Sequence, residues 1–451
     1  MRPSASPRSH PSEGAQALRS GPLPRGAEGT VEDVNAQAPE PPGGLARRLT
    51  TGDAVVIGMG AMIGVGVFAA IRPAAEAGGA GLLIGLAVAA VVAYCNAASS
   101  AQLAAVYPES GGTYVYGRER LGPFWGYLAG WGFVVGKTAS LAAMGLTFGL
   151  YVAPDLGRSF AVAAVVAMTA VNYRGVRTTA LLTRLIVAVV VASLAAVVVA
   201  SLFGGAADAD NLGRFPGGGV LGILRSAGLL FFAFAGYARI ATLGEEVLAP
   251  ERSIPRAILT ALALVLLLYG FVAVAALLAV GPAVLAEAPA PLAAAVESGS
   301  LAWLVPAVRI GAGVAALGVL LSLLAGVSRT VFAMARNREL PAFLGAVHPR
   351  RRTPHRAEIA VALVVILVIL VADLRGTIGF SSFAVLVYYG IANVSAWTQP
   401  PEQRRWPRVV QVVGALGCAV LAFTLPVMSV LVGLAVLAAG AAVWRTFGRR
   451  A

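Results

Sequence analysis

At 451 residues, 58% hydrophobic and only 12% charged, the chain carries about half the charge density of an ordinary soluble domain. That composition excludes a soluble enzyme and indicates an integral membrane protein. The net charge of +13 does not mark a nucleic-acid binder, because no basic helix or aromatic-interleaved patch carries it.

In chain order, Met1 to Pro42 is rich in Pro, Gly, Ser, Ala, Arg and Glu and has no apolar core of a signal peptide, so residues 1–45 read as a disordered cytoplasmic tail. A bilayer needs roughly 20 apolar residues per helix, and the rest of the chain divides on that rule into about twelve spans. These fall at roughly 54–71, 80–106, 121–153, 159–173, 180–203, 220–246, 257–281, 303–335, 356–373, 377–397, 408–424 and 427–445. The two longest, 121–153 and 303–335, are expected to include short turns outside the membrane. Arginines in short loops orient such proteins, and Arg47, Arg48, Arg118, Arg120, Arg174, Arg177, Arg252, Arg256, Arg350 to Arg352, Arg404 and Arg405 alternate onto one side. Arg72, Arg158, Arg214 and Arg375 fall on the other. Both termini are therefore expected in the cytoplasm.

The first span carries four glycines in Gly58-Met-Gly60-Ala-Met-Ile-Gly64-Val-Gly66-Val-Phe68. Glycine costs a helix roughly 1 kcal/mol against alanine, so this cluster predicts a helix broken at membrane depth, with freed N–H groups able to hold an anion. The alternative is close helix packing through small residues such as Gly60 and Gly64. A second interruption, Phe231-Phe-Ala-Phe-Ala-Gly236-Tyr-Ala-Arg239, comes five spans later. Paired broken helices in two five-span halves are the sequence mark of an inverted-repeat transporter.

Lys137 and Arg239 stand out among the charges inside spans, where each costs at least about 2.5 kcal/mol and faces a partner or a cavity. Lys137, the only lysine, is either paired with a carbonyl or carboxylate for packing or is a pocket or coupling residue. Arg239 is read as pairing with Glu246, seven residues on and on the same helical face. Cys95 and Cys418 sit in apolar spans, and His10, His348 and His355 show no ligand spacing, so no metal and no cofactor are expected. Gly58-x-Gly60 lacks the strand and third glycine of a dinucleotide fingerprint, and Gly136-Lys137-Thr138 lacks the leading glycine of a phosphate loop. No nucleophile and base constellation argues for an enzyme.

Several stretches resemble the amino acid–polyamine–organocation (APC) permease superfamily. Ile63-Gly64-Val65-Gly66-Val67-Phe68 is similar to its first-span motif, and Pro108-Glu-Ser-Gly-Gly-Thr-Tyr114 to its second loop. Further matches are Phe232 to Tyr237 running to Glu245 and Glu246, Pro250 to Arg256, and Ser328-Arg329 through Arg336 to Pro341 and His348-Pro-Arg350. The resemblance covers residues from about 50 to 397. It implies an all-α membrane protein with a LeuT-like five-plus-five inverted repeat, broken helices 1 and 6, and two further helices. The transport core would be 46–397, followed by two helices and a short tail over 398–451.

The resemblance further implies alternating access of an amino acid or related amine across the cytoplasmic membrane, with an uncoupled facilitator or an exchanger as the alternative. Carried over by motif position, Val65 and Gly66 N–H groups would receive the substrate carboxylate. Carbonyls of Ile63 and of Phe232, Ala233, Phe234 and Ala235 would receive its ammonium, with Gly64 and Gly236 at the breaks. Arg239, Glu245 and Glu246 are gating or salt-bridge candidates. The lysine that some proton-coupled members carry in span five corresponds to a place near Val190, and their span-six acid to Ala238. Both usual proton carriers are absent, which leaves Lys137 as the candidate should protons be coupled. Two cations with no clear acid at their depth favour neutral or acidic amino acids over basic ones.

Overall fold

The computed structural model describes residues 49–107, 111–174, 180–213, 218–241, 243, 246–349, 351 and 353–447. Among these the secondary structure is helical, apart from an isolated bridge between Leu49 and Val247. The α-helices are α1 (Thr51–Ile63), α2 (Gly66–Gly78), α3 (Leu82–Val106), α4 (Thr113–Leu121), α5 (Pro123–Val152), α6 (Gly157–Tyr173), α7 (Ala180–Phe203) and α8 (Gly219–Phe234). They continue as α9 (Ala238–Ala241), α10 (Pro250–Glu287), α11 (Pro291–Glu297), α12 (Val305–Arg336), α13 (His355–Val371), α14 (Leu374–Trp397), α15 (Arg408–Thr424) and α16 (Val427–Phe447).

Among the described residues, 8 helical stretches are long and apolar enough to cross a membrane. One of them, Thr51–Val106, is 56 residues long and contains α1, α2 and α3. Two more apolar helices, α8 and α15, are shorter, at 16 and 17 residues. The two segments expected to turn at the surface do so only at their ends: α5 and α12 are single helices of 30 and 32 residues. Gly122, with φ 100°, makes the bend that separates α4 from α5.

Local chemistry sets where the first helix begins. Thr50 caps α1 by accepting from the Asp53 N–H at 3.2 Å, while the Asp53 carboxylate accepts from the Thr50 N–H at 3.0 Å. The reciprocal pair satisfies two end donors that the helix itself leaves open. Asp53 also pairs with Arg184 at the start of α7.

Ion pairs and arginine bonds define two ends of the bundle. At one end Arg118 pairs with Glu339, Arg120 bonds the Thr398 carbonyl and Arg351 bonds the Tyr173 carbonyl. At the other, Arg375 pairs with Glu76, and Arg72 and Arg158 donate to carbonyls of Ala286 and Leu370. Between them a buried polar seam ties α3 to α14 and α15: Ser99 donates to Asn393 at 2.7 Å, Asn393 to Asn96 at 2.6 Å and Gln102 to Gln399 at 2.7 Å. Cys418 joins it as a donor to Asn96 at 3.3 Å. Amides paired with one another in an apolar interior fix the mutual register of these helices, because a slip would strand them without partners.

Candidate functional site

Both helix interruptions are present. α1 stops at Ile63 and α2 restarts at Gly66, the departure from helical geometry falling on Val65 with φ −127° and ψ −12°. α8 stops at Phe234 and four residues later α9 begins at Ala238. Neither break uses a left-handed residue, since no position from Gly58 to Gly66 or from Phe232 to Gly236 has positive φ. The glycines serve another purpose, close approach.

A Cβ on Gly66 would lie 2.6 Å from the Ala233 Cα, and one on Gly236 would overlap the Ala61 carbonyl group and lie 2.6 Å from the Met62 nitrogen. Each break therefore rests its backbone on the other. The packing role foreseen for these glycines is also real, and it is divided among them: Gly58 abuts Ile240 and Gly64 abuts Val319, while Gly60 would bring a Cβ 3.0 Å from Val187.

Tyr269 of α10 pins the junction. Its hydroxyl donates to the Met62 carbonyl at 2.7 Å and lies 3.2 Å from the Ala233 carbonyl, so one buried side chain satisfies a carbonyl freed at each break. On the other flank the Ala235 carbonyl accepts from Lys137 Nζ at 2.9 Å and from the Tyr389 hydroxyl at 3.2 Å. Tyr389 stacks on Tyr237, ring centroids 4.9 Å apart.

The breaks border a cavity of about 390 Å³. Its wall includes Val65 and Gly66 at the start of α2, Phe232, Ala235 and Gly236 at the end of α8, and Lys137, Ser140 and Tyr388 from α5 and α14. From there the lining runs to Gly111, Glu246, Arg329 and Ala333, toward the end of the bundle that holds the Arg118–Glu339 pair. Toward the opposite end α2 is packed closed, with Phe68 edge-on to Tyr151 at 5.6 Å and the Tyr151 hydroxyl 3.3 Å from the Phe68 carbonyl. A larger cleft of about 640 Å³ lies at that opposite end, lined by Arg72, Glu76, Asp155, Arg158, Asp373 and Arg375, and neither break reaches it.

The cavity brings together a helix N-terminus and a helix C-terminus. Aligned peptide dipoles make the first electropositive and the second electronegative, so an anion is favoured at α2 and a cation at the end of α8. Of the residues singled out in the sequence, Val65, Gly66, Phe232, Ala235, Gly236, Lys137, Arg239 and Glu246 line it. Ile63, Ala233 and Phe234 are buried behind the wall, with Gly64 turned to α12. Glu245 lies outside the described residues. The shared helical face expected for Arg239 and Glu246 is not there, because α9 ends at Ala241 and Glu246 lies in a turn; both nonetheless reach the cavity.

Sequence reasoning did not single out four residues that line or brace the site. Tyr269 and Tyr389 stand in apolar runs, where the usable signal is that a phenol at membrane depth demands an acceptor. Tyr114 and Arg329 sit within recognised stretches and prove to line the cavity.

At the cavity's rim, Tyr114 donates to Glu339 at 2.8 Å and accepts from Arg118 at 2.7 Å and from Asn337 at 2.7 Å. This latch joins α4 to the segment after α12. Burial holds the Glu339 carboxyl above the usual carboxylate range and outweighs the bonds from Tyr114 and Arg118 that pull it down. The folded state thus binds this proton more tightly than the unfolded chain does, so the Glu339 contribution to stability is present in acid. It is lost as pH rises from about 4.3, the ordinary glutamate value, through the raised folded one. In Glu339→Gln that component should vanish, giving a flatter melting temperature against pH. An unchanged pH profile would show that Glu339 does not titrate in this range.

The sequence matches the profile of the amino acid permease family over residues 49–447. This chain belongs to the APC superfamily of amino acid permeases. It is 61% identical over 413 residues to an uncharacterized transporter of Mycobacterium tuberculosis, covering 91% of this chain and 94% of that one. It is 27% identical over 344 residues to a branched-chain amino acid permease of Bacillus subtilis, covering 69% and 72%. It is also 28% identical over 381 residues to a chloroplastic cationic amino acid transporter of Arabidopsis thaliana, covering 77% and 65%. The permease is therefore a multi-pass membrane transporter of amino acids or related substrates, and not an enzyme.

Proposed function

We propose that this permease carries a zwitterionic amino acid across the cytoplasmic membrane by alternating access, holding it between the two breaks. One observation carries the reading: the N-terminal end of α2 and the C-terminal end of α8 line the same cavity. The Val65 and Gly66 N–H groups are assigned to the substrate carboxylate, and carbonyls of Ile63 and of Phe232 to Ala235 to its ammonium. Recognition by backbone fits relatives that are named for different amino acids. Selectivity then belongs to the cavity walls.

The proposed architecture is twelve spans, with a LeuT-like inverted repeat over 46–397 and two added helices over 398–451. It is supported by parallel bookkeeping in the two halves. Each half opens on a broken helix, α1–α2 or α8–α9, and each inserts one short helix before its third long one, α4 in the first and α11 in the second. The arginine distribution assigns both termini, and the end that holds Arg118 and Arg120, to the cytoplasm, while residues 1–45 lie outside the described residues. On that orientation the cavity faces inward, and the Phe68–Tyr151 side is the closed exterior. Arg239, Glu245 and Glu246 are assigned to the inner gate.

Lys137, Arg239 and Arg329 outnumber Glu246 on the cavity wall, which favours neutral or acidic substrates over basic ones. Because relatives are named for branched-chain and for cationic amino acids, this preference rests on the cavity charges alone. Reconstituted vesicles test it: radiolabelled uptake should be competed by leucine or glutamate and not by arginine, lysine or polyamines. Competition by the basic compounds only would refute the preference. An uncoupler separates the modes of transport, since a proton-driven carrier loses accumulation and a facilitator merely equilibrates.

A further inference from the structure

One of the carbonyls assigned to the substrate ammonium, that of Ala235, is already occupied. A carbonyl oxygen offers two lone pairs, and on Ala235 one faces Lys137 Nζ at 2.9 Å and the other the Tyr389 hydroxyl at 3.2 Å. Of the two occupants Tyr389 is the fixed one. It is fully buried, with its ring against Tyr237, Tyr388 and Phe231 at centroid distances of 4.9, 4.8 and 5.9 Å. Lys137 reaches the same oxygen on a flexible four-carbon stem from α5, and its side chain borders the open cavity.

We propose that Lys137 is a tethered competitor of the substrate ammonium: an amino acid displaces it from the Ala235 carbonyl, and the displaced lysine gives its proton to cavity water. This deepens the reading of the site proposed above and rests on it. The step balances as one zwitterion in and one proton out: the substrate ammonium replaces the lysine ammonium at the carbonyl, its carboxylate enters with it, and the net charge of the site falls by one. Two ammonium groups at hydrogen-bond spacing in a water-poor cavity repel strongly, so displacement without proton loss is disfavoured.

Among the described residues, the cavity lining gives the lysine no carboxylate at its own depth. Charged and titratable groups that share the cavity among the described residues are Tyr114 from α4, Arg239 from α9, Glu246 from the turn beyond it, Arg329 from α12 and Tyr388 from α14. The break at α1–α2 contributes backbone and apolar side chains, and α6, α13 and α16, which also pack on α5, contribute nothing to the lining. Arginine stays charged in proteins. Glu246 is the one carboxylate of that lining, and its charge acts on Arg239. Lys137 is thus the cation in the cavity able to leave as a neutral amine.

Calorimetric binding of leucine, glutamate and arginine to purified full-length protein tests the exchange. In buffers of different ionisation enthalpy, wild type should release close to one proton per bound amino acid, and affinity should rise up to about tenfold per pH unit. For 4-methylpentanoate, which is leucine without its amine, no such release is expected. Lys137→Met should lose the pH dependence and bind the amino acid more tightly at low pH. Lys137→Arg, which keeps the charge and cannot discharge it, should bind weakly at every pH, so the two variants bracket the effect even when one folds poorly. Binding without proton release in wild type, or an unchanged slope in Lys137→Met, overturns the competition while leaving the amino acid reading intact. No binding of any of the three by wild type or variant refutes that reading and the competition with it.

Discussion

One methyl group added at Gly236 should lower transport by about 5–150-fold, the rate equivalent of the 1–3 kcal/mol that overpacking a close contact costs. The new Cβ would overlap the Ala61 carbonyl group, and the obstacle is backbone rather than the tip of a flexible side chain. Relief requires the two breaks to separate. Gly66→Ala should do the same from the opposite direction, since its Cβ would meet the Ala233 Cα at 2.6 Å and the Ala233 Cβ at 2.8 Å. Gly270→Ala is the matched control, because nothing lies within 4 Å of a Cβ placed there, and alanine in a helix interior stabilises slightly. Uptake per correctly inserted molecule, with melting temperature alongside, measures all three. Near-normal transport by Gly236→Ala would mean that the breaks do not bear on each other during the cycle.

Tyr269→Phe should cost about tenfold in transport and lower the melting temperature. The ring stays, but the carbonyls of Met62 and Ala233 lose their shared donor, and stranding a buried acceptor costs about 1–3 kcal/mol. The effect differs from that of the glycine variants in kind. Overpacking pushes the breaks apart, whereas loss of the hydroxyl removes what holds freed carbonyls in place without water. Wild-type uptake in Tyr269→Phe would show that the Met62 and Ala233 carbonyls find other donors.

The broken helices were readable from the sequence because glycine inside an apolar run is costly enough to demand a reason. Which reason applied at which glycine was not readable. Gly58, Gly60 and Gly64 meet side chains of α9, α7 and α12, whereas Gly66 and Gly236 meet the backbone of the partner break, and such contacts depend on residues far away in the chain. Lys137 was visible as an expensive charge, but its acceptor on Ala235 is 98 residues away, beyond any local pattern. The seven-residue interval from Arg239 to Glu246 does not put them on one helical face, because α9 stops at Ala241, yet both line the cavity and the Glu246 charge acts on Arg239. Tyr269 gave a faint signal, a single phenol between Leu268 and Gly270 in a run otherwise without polar atoms. The polar seam of Asn96, Gln102, Asn393 and Gln399 followed the same rule, with each amide's partner on another helix or just beyond its end.

The claim on which the account stands is that the electropositive start of α2 and the electronegative end of α8 together hold a zwitterion. The most direct measurement is the thermal shift of the purified permease with each of the common amino acids, and then with the amide of whichever gives the largest shift. A ligand raises stability as RT ln(1 + [L]/Kd), so a compound that keeps the side chain and the amine but loses the carboxylate reports on α2 alone. A clear shift is expected with the acid, and at least about tenfold weaker binding with the amide. An amide that binds as tightly as its parent acid would contradict the claim.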